Sequence, residues 1–152
     1  MTGFKAIRVD KDDHGQRAGY VVMCERELMP GDVDVDVAFS AINYKDGLAV
    51  TGKGPVVRRF PMIPGVDLSG RVTRSAHPDF APGDIVVATA CGLGEAHYGG
   101  FAEKARFSGD WLAKLPPPLT PARAMAVGTA IMKVTFHCAT SFQKLSNTPS
   151  PR

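Results

Sequence analysis

Sixteen glycines and twelve prolines divide this 152-residue chain into short stretches, and that spacing limits the possible folds more than any other feature. Proline breaks a helix interior and glycine disfavours it, whereas both suit turns. A helical bundle is therefore excluded, and short strands joined by turns are expected. The length fits a single domain. With 44% apolar and 22% charged residues, the chain can bury a core and lacks the composition of a disordered segment.

Val33, Val35, Val37 and Phe39 alternate with Asp32, Asp34, Asp36 and Ala38. This period of two predicts a strand with the four large apolar residues inside and the aspartates in water. Further strands are predicted at 4–9, 20–24, 66–73, 85–89 and 101–107, where β formers cluster. Residues 40–52 read as a turn and a short helix near 44–51, ended by Gly52. Thr120 before Pro121 reads as the N-cap and first residue of a helix through Val127. Residues 81–84 read as a turn, and 52–65 and 91–100 as surface loops. The reading is a mainly β fold with short helices, a barrel or a sandwich.

Composition changes near Ala130. Residues 1–130 hold 15 basic and 15 acidic residues, whereas 131–152 add Lys133, Lys144 and Arg152 with no acid, and all glycines precede position 130. The net charge of +3 thus sits in the tail and is not the footprint of a nucleic-acid-binding surface. No run reaches the ~18 apolar residues of a membrane span, and residues 1–5 do not open an apolar signal core. Cys24, Cys91 and Cys138 are scattered and odd in number. They fit neither a disulfide framework nor a Cys-rich zinc cluster, and they suit a cytoplasmic location.

The motifs of several chemistries are missing. Gly92-Leu93-Gly94 opens like a dinucleotide fingerprint, but His97 stands where the third glycine belongs and no helical pattern follows. There is no G-x-S-x-G. His14, His77, His97 and His137 are isolated from partners at metal-ligand spacing. No catalytic residue is assigned, and no metal is expected.

The positive signal is a set of strings in fixed order: Asn43-Tyr44-Lys45-Asp46, Phe60 to Asp67, Gly83-Asp84-Ile85-Val86-Val87 and Gly99-Gly100-Phe101-Ala102-Glu103. In this order residues 1–130 resemble the N-terminal, GroES-like catalytic domain of the medium-chain dehydrogenase/reductase superfamily. Gly109 to Leu112 and Ala124 to Ala130 narrow the resemblance to the acrylyl-CoA reductase and quinone oxidoreductase branch. It implies a GroES-like, partly open β-barrel. It also implies zinc-independent, NADPH-dependent reduction of an α,β-unsaturated thioester, acrylyl-CoA to propionyl-CoA, or of a quinone-like substrate.

In zinc-using relatives a cysteine lies near the position of Asn43 and a Gly-His-Glu supplies a histidine ligand. Here Gly65-Val66-Asp67 takes that place, and Val66 has no lone pair to offer. By the same resemblance Tyr44 contacts the NADP cofactor, and Asn43 beside it holds cofactor or substrate.

Each residue also has a plainer reading. Tyr44 could pack its ring on a helix. Asn43 could be a turn or cap, and Lys45 and Asp46 a solvated helix face or cap. Lys53, Arg58 and Arg59 could attract phosphates or be ordinary surface cations. Asp67 reads as a buried, hydrogen-bonded carboxylate before it reads as a catalyst.

After position 130 the family pattern stops, and Ser146 to Arg152 has disorder-like composition. The expected organisation is a GroES-like domain at 1–130 and an atypical, fraying tail at 131–152, with no Rossmann domain. This suggests a truncated or frameshifted product, inactive alone. The competing reading is a non-catalytic remnant or interaction module that keeps only the barrel. Unpaired strand edges would favour homo-oligomers.

Overall fold

The computed structural model describes residues 3–127. The expected tail at 131–152, and with it the domain boundary near 130, lies outside the described residues. The chain forms β1 (Phe4–Asp12), β2 (Gly15–Met23), β3 (Val33–Phe39), α1 (Tyr44–Thr51), β4 (Asp67–Ser75), β5 (Ile85–Thr89), β6 (Lys104–Phe107) and β7 (Leu112–Lys114), followed by a helix over 121–127, α2. No helix among the described residues is long and apolar enough to cross a membrane.

Five strands form an antiparallel sheet in the order β6-β3-β4-β5-β7, and β1 and β2 form a hairpin. Backbone bonds join the two units. Ile7 N–H donates to Phe101 O at 2.9 Å, Glu103 N–H to Lys5 O at 2.9 Å, and Val9 and Met62 exchange bonds of 2.7 and 2.9 Å. The result is the partly open barrel expected from the sequence. Two strands end it, β2 on one side and β7 on the other.

The main core lies under the large sheet, where Val33, Val35, Leu68, Val72, Val86 and Phe107 are almost fully excluded from water. A second cluster around Phe4, Met23 and Ile63 fills the hairpin side. A third seats α2 through Ala124 and Met125 against Val87 and Leu115. The cap of α2 is as the sequence indicates: Arg123 N–H donates to Thr120 Oγ1 at 3.3 Å. At the 81–84 turn Gly83 takes a positive φ of 99°, and Ala81 N–H donates to Asp84 Oδ2 at 2.9 Å.

The alternation at β3 holds through Val37 and then fails. Val33 and Val35 are buried, but Phe39 is 48% exposed. The pairing with β4 shifts between Val37 and Phe39, where Val37 lies opposite Gly70 and Phe39 opposite Ser69. Ala38 is thus an extra residue, a bulge, and it turns the Phe39 side chain outward. Asp34 is also drier than expected, its side chain only 14% exposed, because Arg74 and Arg106 from the flanking strands close over it.

Parts of the two supposed surface loops are instead wedged into the molecule, while most of 52–61 is at the surface as expected. Residues 62–66 are buried, as are Leu93, Gly94, His97, Gly99 and Gly100. A Cβ on Gly99 would sit 2.2 Å from Gly65 O, and one on Gly100 would sit 2.5 Å from Asp67 O. Gly65 itself has a φ of +103°. Here glycine is required by close backbone approach as well as by conformation, which composition alone reads as looseness.

Candidate functional site

The segment from Phe39 to Asp46 leaves the sheet at the bulge and enters α1. Two buried carboxylates fix it. Asp67, fully buried, accepts from Ala41 N–H at 3.0 Å and from Asn43 Nδ2 at 3.1 Å, and its carbonyl accepts from Ser40 Oγ at 2.6 Å. Asp46, 2% exposed, accepts from Asn43 N–H at 2.8 Å through Oδ2. Its Oδ1 accepts from Gly65 N–H at 3.1 Å and Val66 N–H at 3.0 Å.

Asn43 is therefore the N-cap of α1, held from both sides. The Asn43-x-x-Asp46 spacing is the reciprocal half of a capping box, and Asp46 in the first turn also opposes the positive end of the helix. Gly52, in the left-handed region with a φ of 68°, ends the helix. Asp67 fits its plainer reading. Asp46 is a cap, as one reading had it, but it is not on a solvated face. Its second task, gripping the backbone at Gly65 and Val66 from nineteen and twenty residues away, leaves no mark in the sequence.

Pinning these polar groups leaves the apolar ones facing water. Ile42 is 86% exposed and Tyr44 84%, while Ala41 between β3 and α1 packs against the α2 cluster. The structure thus sets Tyr44 and Asn43 side by side in different roles: an open aromatic ring and a half-buried amide bonded to Asp67. Phe39 and Ile42 were not singled out as site residues. Phe39 escapes the sequence pattern because the bulge inverts its face.

Lys45 forms an ion pair with Glu95, and Arg58 lies 3.7 Å from the same carboxylate. Lys53 and Arg59 are exposed. His97 lies elsewhere, buried edge-on against Trp111 at 5.1 Å with Nδ1 3.1 Å from Tyr98 O. His77 lies 3.6 Å from Asp110. Among the described residues no three His, Cys, Asp or Glu side chains group as metal ligands. The site's resources are a flat aromatic face, a phenol O–H and a neighbouring aliphatic side chain on a rigid support. That set can stack against a planar ring and offer it a hydrogen bond.

The sequence profile of the alcohol dehydrogenase GroES-like domain matches residues 29–117. The chain belongs to this family. The GroES-like domain here is the N-terminal domain type of the medium-chain dehydrogenase/reductases. It is 47% identical over 126 residues to a protein of Escherichia coli K12 named "Probable acrylyl-CoA reductase AcuI", covering 83% of this chain and 39% of that one. It is 43% identical over 129 residues to acrylyl-CoA reductase AcuI of Ruegeria pomeroyi, covering 84% and 39%.

Among solved structures, the YhdH oxidoreductase of Salmonella enterica in complex with NADP superposes with a TM-score of 0.83 at 43% identity, over 95% of this chain and 44% of that one. Bacillus subtilis YhfP with NAD bound gives 0.80 at 39%, over 100% and 45%. The chain spans about two fifths of the length of these curated relatives.

Proposed function

We propose that this GroES-like domain forms one wall of the active site of a zinc-independent, NADPH-dependent reductase of α,β-unsaturated thioesters, acrylyl-CoA to propionyl-CoA, or of quinone-like substrates. The observation that carries the reading is the exposed ring of Tyr44 on a segment clamped by two buried carboxylates. That segment lies within the match to relatives named as acrylyl-CoA reductases and to a relative solved with NADP.

The residues present fit one face of such a cofactor. Tyr44 and Ile42 offer a flat, largely apolar surface, and Asn43 sets its position. They do not fit the phosphates. The Gly92 to Gly94 turn is packed against the Gly65 backbone, and it opens onto further loop instead of a helix N-terminus. NADPH, when bound, supplies a hydride. In this reading Tyr44 excludes water from the ring it covers and directs its phenol O–H toward the site. Asn43 and Asp67 hold the start of α1, on which Tyr44 is carried. A cytoplasmic setting belongs to the same reading.

Alone, the domain is expected to be inactive. One stack or hydrogen bond from Tyr44 contributes ~1–2 kcal/mol, whereas millimolar binding needs ~4 kcal/mol. The test is to graft residues 3–127 onto the E. coli relative in place of its matching segment. The chimera should reduce acrylyl-CoA with NADPH, and Tyr44→Ala should raise its KM for NADPH. A folded but inactive chimera would favour the other reading, a module that keeps the barrel without catalysis.

A further inference from the structure

The hairpin strand β2 carries a surface that the proposed reaction does not use. On β1, Lys5, Ile7 and Val9 spend their backbone groups on Phe101, Met62 and Glu103. The even-numbered residues of β1 therefore bond to β2, where their partners are Met23, Val21, Gly19, Arg17 and Gly15. In an antiparallel pair the residues between these point their N–H and C=O away, so Ala18, Tyr20 and Val22 hold theirs away from β1, where no described residue meets them. The Gln16 side chain is taken by Ala49 O of α1, which leaves 18–22 as the open run. Tyr20 is 76% and Val22 73% exposed, and both side chains stand on the same face.

Natural edge strands are usually guarded by bulges, prolines, inward charges or shortness. β2 has none of these. Its nine-residue register with β1 is unbroken and contains no proline, and its sole charge, Arg17, is bonded to Asp12. The opposite edge is different: β7 spans three residues and ends in Lys114, which pairs with Asp84.

We infer that the β2 edge is the pairing surface for a second copy of this chain, antiparallel about a two-fold axis at Tyr20. Residues with outward backbone groups then meet residues of the same kind. Tyr20 lies opposite its symmetry mate and Ala18 opposite Val22 of the partner subunit, closing about six hydrogen bonds. The exposed apolar side chains of both copies fall on one face of the joined sheet. Arg17 lies opposite Met23 of the partner subunit, so no like charges are brought together. A second copy is the occupant favoured because its edge carries the same open groups in the same spacing, and one contact satisfies both. A five-residue edge is smaller than the ~1,200 Å² of a stable interface, so the dimer should be weak and concentration-dependent.

The test is sedimentation equilibrium of the full 152-residue chain from about 10 µM to about 1 mM, the range expected of a small interface. The wild type should pass from monomer to dimer. Tyr20→Lys sets two ammonium groups opposite each other and should weaken association at least ~10-fold; because residue 20 is exposed in the monomer, circular dichroism should be unchanged. Tyr20→Cys should cross-link to its mate on mild oxidation, identified by mass spectrometry of the linked peptide, since opposed Cα atoms lie ~5.5 Å apart. A monomer at every concentration would overturn the inference, as would a dimer indifferent to Tyr20→Lys. Slow amide exchange at Ala18, Tyr20 and Val22 in a monomer would also overturn it, because another part of the chain would then cover the edge.

Discussion

Replacing Asp46 by alanine removes the acceptor for three backbone N–H groups at once: Asn43, Gly65 and Val66. Gly65 and Val66 are buried, so water cannot readily replace the carboxylate. An orphaned buried donor costs ~1–3 kcal/mol, and loss of a helix-terminal partner adds ~1 kcal/mol. The three losses share one side chain and are not additive, so the expected cost is ~3–5 kcal/mol. That is a large part of the ~5–15 kcal/mol that holds a domain folded.

Asp46→Asn keeps the shape and can still accept from Gly65 and Val66 through its oxygen, but its NH₂ then faces the Asn43 N–H, donor against donor. It should cost ~1–3 kcal/mol. Urea denaturation followed by tryptophan fluorescence reads both values, with a lower midpoint and an unchanged slope. Alanine costing under ~1 kcal/mol, or asparagine costing as much as alanine, would refute the view that this carboxylate clamps the site segment.

The register reported for β3 implies that Val35→Ala costs ~2 kcal/mol and Phe39→Ala under ~1 kcal/mol, measured in the same denaturation; equal costs would restore the unbroken alternation. Gly99→Ala forces a Cβ to 2.2 Å from Gly65 O and should leave the protein insoluble or destabilised by more than ~3 kcal/mol. Gly19→Ala, with nothing within 4 Å, should be close to neutral. Burial pushes the Asp34 carboxyl up, but hydrogen bonds from Arg106 and then Arg74 outweigh it and hold the group below its ordinary 3.8. With the folded value depressed, its stabilisation is complete above 3.8 and fades as pH falls through the lower folded value. Denaturation of wild type and Asp34→Asn should therefore differ at neutral pH and converge in strong acid.

The elements themselves were largely legible. The predicted strand at 85–89 coincides with β5, and Gly52 ends α1 as the pattern indicates. These features depend on neighbours in sequence, where propensity and turn chemistry act. The hairpin was only half visible, because β2 begins at Gly15 in a polar stretch without alternation. Its exposed face gives the period-two rule little to detect.

At the candidate site, Asn43 and Tyr44 were singled out through a string of residues, and the Asn43-x-x-Asp46 cap could have been read from spacing alone. The grip of Asp46 on Gly65 and Val66, the outward turn of Phe39 and the burial of the Gly-rich loop depend on contacts between distant segments. No local pattern encodes them.

An NMR titration of the full chain with NADPH to several millimolar bears most directly on the claim that Tyr44 presents one face of a cofactor site. Small, non-saturating shifts confined to Phe39, Ile42 and Tyr44 are expected, consistent with an affinity weaker than ~1 mM. Saturable micromolar binding, shifts centred on the 91–100 loop, or a Tyr44 resonance that never moves would contradict it.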